Sequence, residues 1–232
     1  MNAAVVIATY NERDNLPGLV ASILERPGYR VIVVDDNSPD GTGAIADELA
    51  ATSNARLTVI HRTAPRALGR SLVSGLKRAL SDGADLIFQM DADFSHDPKY
   101  LPEMAAAAAD ADLVLGSRYL HGVSVVNWPL HRIILSTFAN RYIRLVTGLN
   151  AHDCTTGYRC WRREALARMP LDGLISNGYA FLIEQLHIAR RMGCRVREVP
   201  IIFVERRGGA SKISSTVLLE SAIVPWRLRL TR

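Results

Sequence analysis

The stretch LIFQMDADFSHDP, residues 86–98, sets two carboxylates one residue apart at the end of an apolar run. Like charges held that close repel, and a shielded strand end deprives them of water. The arrangement makes chemical sense if a cation lies between them. A divalent ion that bridges a diphosphate needs hard oxygen ligands and takes only one or two protein carboxylates. Asp91 and Asp93 are therefore candidate metal ligands, with a solvated acidic strand end as the plainer alternative.

Other polar groups follow apolar runs in the same way. Tyr10 and Glu12 follow AAVVIAT, Asp35 and Asp36 end RVIVVDD, and Arg118 follows LVLGS. An acid at the end of the second run can accept hydrogen bonds from a ribose or from a base N–H. Asn37, Ser38 and Asp40 beside it also read as a turn and helix cap. The stretch VVDDNSPDGTG lacks the G-x-G-x-x-G spacing of a dinucleotide loop. Farther on, FVERRGGASK sets Arg206 and Arg207 before a Gly-Gly pair, with Ser211 and Lys212 beyond it. Such a loop can close over a phosphate and exclude water. There is no paired-histidine motif, no G-x-S-x-G elbow, and no closely spaced cysteine pair for zinc.

Positioning these groups is the task of the elements around them. Through residue 116 the chain alternates continuous apolar runs (3–9, 30–36, 56–62, DLIFQM, DLVLGS) with amphipathic helical stretches. That alternation predicts a doubly wound, mostly parallel sheet flanked by helices, whose ligands bind beyond the carboxyl ends of the strands. Tyr10, Glu12, Asp36, Asp91 and Asp93 then gather on one rim. After residue 117 the rhythm changes. Residues 128–149 predict a long amphipathic helix with Ile133, Ile134, Phe138, Tyr142 and Leu145 on one side and Arg132, Ser136 and Asn140 on another. CTTGYRCWRREALARM predicts a strand or turn leading into a helix, YAFLIEQLHIARRMG a helix, and RVREVPIIFVERR a strand. No internal repeat or low-complexity linker interrupts the 232 residues.

The composition, 48% hydrophobic and 22% charged, is that of a globular protein, and the net charge of +5 conceals an asymmetry. Residues 1–112 carry 10 Lys+Arg against 16 Asp+Glu, or −6; residues 113–232 carry 18 against 7, or +11. Only three of the 28 basic residues are lysines. Arginine grips phosphate bidentately, so the second half points to a phosphate or anionic surface, unless the bias reflects codon preference alone. Basic residues without interleaved aromatics or a recognisable motif argue against nucleic acid. No apolar window is long enough to span a bilayer, and the first residues lack a signal-peptide pattern. Three cysteines suit a reducing compartment better than a disulfide scaffold.

The motifs VVIATYNERDNLPGLV, VIVVDDNSPDGTG, MDADFSHDPKYLPEM, LVLGSRY, TTGYRCWRREAL and REVPIIFVERRGGASK stand in this order over roughly residues 3–215. Together they resemble the inverting family 2 glycosyltransferases of GT-A fold. Within these, the chain is similar to the dolichol-phosphate, or polyprenyl-phosphate, mannose synthases. The resemblance implies one GT-A domain over 1–215, with a nucleotide-sugar half to about 116 and an acceptor half from 117, and an amphipathic tail over 216–232. It implies transfer of a hexose, mannose from GDP-mannose, to a polyprenyl monophosphate with Mg²⁺ or Mn²⁺. Tyr10, Glu12 and Asp36 would hold the nucleoside, with Ala8, Val34, Met90 and Ala92 beside them. Asp91 and Asp93 would bind the metal, with Ser95 at the place of a third ligand. Arg118, Arg132, Arg206 and Lys212 would grip the donor and acceptor phosphates, Asp91, Asp93 and Arg118 being the catalytic set. One departure is PRALGRSLVSG, where relatives often read Gly-Leu-Gly and this chain has Ala67 and Arg70.

A phosphate acceptor is already ionised near neutral pH and needs no general base, whereas an alcohol acceptor does. Glu184 is the candidate base if the acceptor is an alcohol. The alternatives are another sugar such as UDP-glucose, a glycan acceptor, or a sugar-nucleotide binding module without turnover. A polyprenyl acceptor implies a chain that is cytoplasmic and peripheral on the cytoplasmic face of a membrane, with helix 128–149 or the tail around Trp226 at the interface, or with a membrane-protein partner as anchor.

Overall fold

The apolar runs become strands that are buried on both faces, as parallel strands covered by helices must be. In chain order the elements are β1 (Ala3–Thr9), α1 (Leu16–Leu24), β2 (Tyr29–Asp35), α2 (Thr42–Thr52), β3 (Leu57–His61), α3 (Leu68–Ser81), β4 (Leu86–Met90), α4 (Leu101–Ala107) and β5 (Leu113–Ser117). There follow β6 (Val125–Val126), α5 (Leu130–Thr147), β7 (Arg159–Arg162), α6 (Arg163–Ala167), α7 (Gly178–Arg191), β8 (Val196–Pro200), β9 (Phe203–Val204) and α8 (Ser215–Leu230). The computed structural model describes residues 2–63, 65–174, 176, 178–205 and 215–230, with the side chains of α8 described from Ala222 onward.

Seven strands form one sheet in the order β3-β2-β1-β4-β7-β5-β8. All neighbours run parallel except β7, which is antiparallel to both β4 and β5. The order reverses between β1 and β4, and in such sheets the crevice outside the strand ends at the reversal is the binding place. Successive residues of β1 serve opposite sides of the sheet. Ala4 and Val6 join a core with α3, α5, α6, α7 and α8, while Ala3, Val5 and Ile7 join a second core with α1, α2 and α4. At Gly75 on α3, a Cβ would stand 2.3 Å from Val6 Cγ1, so the missing side chain lets the helix lie directly on β1.

The second half of the chain refines the expected elements. TTGYRCW supplies β7, which inserts between β4 and β5 and is the one antiparallel member of the main sheet. RVREVPIIFVERR does not make one strand. It splits at Ile201–Ile202 into β8, on the main sheet, and β9, which pairs with β6 as a separate two-stranded ribbon. Helix α5 packs inward through Asn140, Ile143, Val146 and Thr147, and much of its apolar row turns outward. Ile134, Phe138 and Leu145 of that row are exposed. The tail is helical and packs back onto the domain through Val224 and Leu228, with Tyr142 donating its hydroxyl to the Ala222 carbonyl at 2.8 Å.

Candidate active site

The strand ends are shaped by local turns before any ligand is considered. Asn11 and Asn37, just after β1 and β2, both adopt positive φ (59° and 57°), a region asparagine tolerates. The two turns are joined, Asn11 N–H donating to Ser38 Oγ at 3.1 Å. After β4 the chain turns sharply, and Phe94 is held at φ 61°, which is unusual for a bulky residue. Three observations explain how the turn persists. Asp93 Oδ1 accepts from both Ser95 N–H (3.1 Å) and Ser95 Oγ–H (2.6 Å). Asp91 N–H donates to His96 Nδ1 at 2.9 Å. The Phe94 ring lies against Gly18, where a Cβ would be 3.3 Å from it.

A cavity of about 490 Å³ opens above these turns at the sheet reversal. Ala8, Tyr10, Glu12 and Asp36 line one end, Asp91, Ala92 and Asp93 the floor, and Arg118 and Arg132 the other end. The structure thus brings nine of the expected residues into one space. Val34 and Met90 are not among them. Their side chains are taken up by the core, as central strands buried on both faces require. Ser95 is also buried, and its hydroxyl is spent on Asp93, so it supports that carboxylate from behind and does not stand in the cavity. Arg206, Arg207, Ser211 and Lys212 lie outside the described residues.

At the first end, Asp36 is fixed on both oxygens. Arg62 Nη1 donates to Oδ1, and Ala67 N–H donates to Oδ2 at 2.9 Å. Ala67 replaces the first glycine of the family loop without strain, because its φ of −160° is extended backbone open to any residue. Arg66 lies 4.0 Å over the Tyr10 ring, a cation–π contact.

On the floor, Asp91 is half exposed, and Gly157 leaves room beside it. A Cβ there would come within 3.4 Å of Asp91 Oδ1. His96 is buried between Asp91 and the Tyr158 ring, which it stacks on at 5.0 Å. Burial lowers its pKa, although Asp91 and Asp93 act in the opposite direction. Accepting from the Asp91 N–H assigns the neutral tautomer with its proton on Nε2, so the 3.8 Å approach to Asp91 Oδ2 is not an ion pair.

At the far end Arg118 is buried against Asp153. Nε and Nη2 donate to the two carboxylate oxygens at 2.6 and 2.7 Å, and Nη2 also reaches Thr155 Oγ1 at 2.8 Å. Burial works against both charges, but each holds the other ionised, so the Arg118 pKa is raised and that of Asp153 is lowered. Behind this loop Arg159, fully buried, donates to the carbonyls of Thr156 (2.9 Å) and Cys154 (3.4 Å) and to Gln185 (3.0 Å). Desolvation lowers its pKa to about 10. Of the row Arg132, Ser136 and Asn140, Arg132 lines the cavity and Ser136 and Asn140 do not. Arg132 pairs with Glu205, Ser136 accepts from the Tyr119 hydroxyl at 2.7 Å, and Asn140 Oδ1 accepts from Cys154 N–H at 2.8 Å.

Sequence reasoning missed several of these residues. Asp153, Arg159, Arg62 and Glu205 act through partners 26 to 73 positions away. Glu184, the candidate base for an alcohol acceptor, accepts from Ser176 N–H on Oε2 at 2.9 Å and does not line the cavity. The one available signal was the density of polar residues in HDCTTGYR, which is unusual for a buried segment.

Comparison with known proteins agrees with this architecture. Residues 4–169 match the model of "Glycosyl transferase family 2". A polyprenol monophosphomannose synthase of Mycolicibacterium smegmatis is 44% identical over 229 residues, 97% of this chain and 86% of that protein. An undecaprenyl-phosphate mannosyltransferase of Micrococcus luteus is 41% identical over 224 residues, 96% of this chain and 92% of that protein. In fold the chain is similar to glucosyl-3-phosphoglycerate synthase of Mycobacterium tuberculosis, solved with Mn²⁺, UDP and phosphoglyceric acid. That TM-score is 0.69 at 18% identity, over 98% of this chain and 78% of the other. With its sheet, its strand-end carboxylates and these relatives, the chain belongs to glycosyl transferase family 2.

Proposed function

We propose that this chain transfers a hexose, mannose from GDP-mannose, to a polyprenyl monophosphate with inversion at the anomeric carbon. One observation carries the reading. A single cavity has two carboxylates on its floor, nucleoside-type partners at one end and two arginines at the other. The names of the two bacterial relatives support the lipid acceptor and the sugar.

The donor's nucleoside lies against Tyr10, Glu12 and Asp36, and its diphosphate over the floor. The residues there fit a divalent cation. Asp91 and Asp93 offer hard oxygen donors, and Gly157 leaves space beside Asp91. Among the described residues no three His, Cys, Asp or Glu side chains converge as a closed cage, which suits an ion shared with a ligand's phosphates. Bound there, Mg²⁺ or Mn²⁺ would neutralise the charge that develops on the leaving diphosphate. Arg118 and Arg132 orient the acceptor phosphate, Arg118 with its fork already fixed by Asp153. The reaction requires no proton acceptor from the chain, because a phosphate monoester is largely ionised at neutral pH. His96, in its assigned tautomer, presents a donor. Glu184 is committed to Ser176, which disfavours the alcohol-acceptor reading.

The acceptor's chain stays in a bilayer, so the site must reach one. No helix among the described residues is long and apolar enough to cross a membrane. Helix α5 begins at the cavity's arginine end and exposes Leu130, Ile134, Phe138 and Leu145, and α8 beside it exposes Ile223, Trp226 and Leu230. This surface suits peripheral contact with a membrane interface.

The test is incorporation of labelled mannose from GDP-mannose into organic-extractable lipid, with polyprenyl phosphate and Mg²⁺ or Mn²⁺. Label in the lipid, abolished by EDTA and by Asp91→Asn, is expected. Transfer only from UDP-glucose would change the sugar, and no transfer from any donor would overturn the reading.

A further inference from the structure

The two arginines at the acceptor end are neutralised in different ways. Arg118 meets Asp153 through two parallel bonds, and the side chains are 7% and 0% exposed. A ligand cannot replace a carboxylate that lies beneath the guanidinium and out of solvent. Arg132 meets Glu205 through one bond, Nη1 to Oε2, and these side chains, 14% and 25% exposed, both line the cavity. The Arg132 guanidinium lies 3.9 Å over the Trp128 ring, and the residue sits in the first turn of α5, where the helix terminus favours anions. Arg132 is thus held in place by its helix and by Trp128, independently of its carboxylate partner. The backbone of Glu205 is also fixed, its N–H donating to Val126 O at 3.0 Å beside the β6–β9 ribbon.

Resting on the reading that an acceptor phosphate docks at Arg132, we propose that Glu205 is a surrogate anion. Its carboxylate neutralises Arg132 while the acceptor is absent, and the acceptor phosphate takes its place. This makes Glu205 a determinant of acceptor selectivity. A monoester phosphate carries close to two negative charges and displaces a single carboxylate well. The phosphodiester product carries one charge and competes with Glu205 less well, so its release is favoured. An unneutralised Arg132 would instead hold any anion that entered, including product.

The experiment is calorimetric titration of the full chain with farnesyl monophosphate, for wild type, Glu205→Gln, Arg132→Gln and the double variant. The proposal expects Glu205→Gln to tighten binding by about tenfold, with no change from Glu205→Gln in the Arg132→Gln background. Turnover at saturating acceptor should fall as product is retained. Glu205→Asp, which retracts the carboxylate by one methylene, should tighten binding by a smaller factor. A merely structural ion pair predicts the opposite sign, since losing Glu205 would loosen Arg132. Weakened or unchanged affinity in both Glu205 variants, with wild type binding and Arg132→Gln impaired, overturns the surrogate role alone. Wild type that fails to bind, or that binds no better than Arg132→Gln, overturns the acceptor reading and the surrogate role together.

Discussion

Asp153 holds Arg118 through both carboxylate oxygens, at 2.6 and 2.7 Å, in a place solvent does not reach. Burial alone would raise the pKa of this carboxyl, but the charge and hydrogen bonds of Arg118 outweigh it and lower the value below 3.8. A depressed value in the folded state means that the unfolded chain takes up the proton first. The stabilisation is therefore present above about pH 4 and is lost as pH falls through the folded value. Asp153→Asn should cost about 3–5 kcal/mol at neutral pH, because it strands a buried guanidinium. The gap in melting temperature between wild type and variant should narrow on acidification below pH 4. A gap that does not change with pH would show that the pair's charge contributes nothing.

Ser95 and Asp91 separate support from ligation. With its hydroxyl on Asp93, Ser95 orients a carboxylate, so Ser95→Ala should raise the metal concentration needed for half activity by roughly tenfold. Saturating metal should restore the rate. Asp91→Asn should not be rescued by metal at any concentration. Metal titrations of transfer activity for both variants distinguish the roles, and a Ser95→Ala enzyme that metal cannot rescue would make Ser95 a ligand after all.

Gly75 tests the packing that carries the site. A methyl group there would meet Val6 at 2.3 Å, on the strand whose end bears Tyr10 and Glu12. Gly75→Ala should lower stability by about 1–3 kcal/mol in urea unfolding, despite alanine's better helix propensity. A variant as stable as wild type would mean that α3 moves off β1 without penalty.

The exposed row on α5 makes a separable prediction. Phe138→Ser with Leu145→Ser should weaken partition onto anionic vesicles by about tenfold or more, while melting temperature stays close to wild type. Vesicle flotation measures the first and calorimetry the second. Unchanged flotation would remove α5 from the proposed membrane contact.

The parallel half of the fold was legible because its strands are long apolar runs separated by clear helices, and its chemistry sat at their ends. Tyr10, Asp36, Asp91 and Asp93 could be placed on one rim from that pattern alone. The position of β7 could not be read, because RCWR is a short segment and strand order is set by pairing, which leaves no local trace. Asp153 looked like any loop acid until its partner, 35 residues away, was seen. For α5 the difficulty was different. A row of Ile134, Phe138 and Leu145 has the same periodicity whether it faces a core or a membrane surface, and the inward face proved to be built on Asn140, Ile143 and Val146. Val34 and Met90 each stand next to a site residue and turn their side chains into the core, which the motif alone does not show.

The proposed reaction uses an acceptor that is already ionised and so requires no base from the cavity. Its most direct test sets a polyprenyl monophosphate beside the corresponding polyprenol, under identical conditions with GDP-mannose and Mn²⁺. Mannolipid is expected from the phosphate, as a phosphodiester of inverted anomeric configuration, and none from the alcohol. Mannolipid formed from the polyprenol at a comparable rate would contradict it.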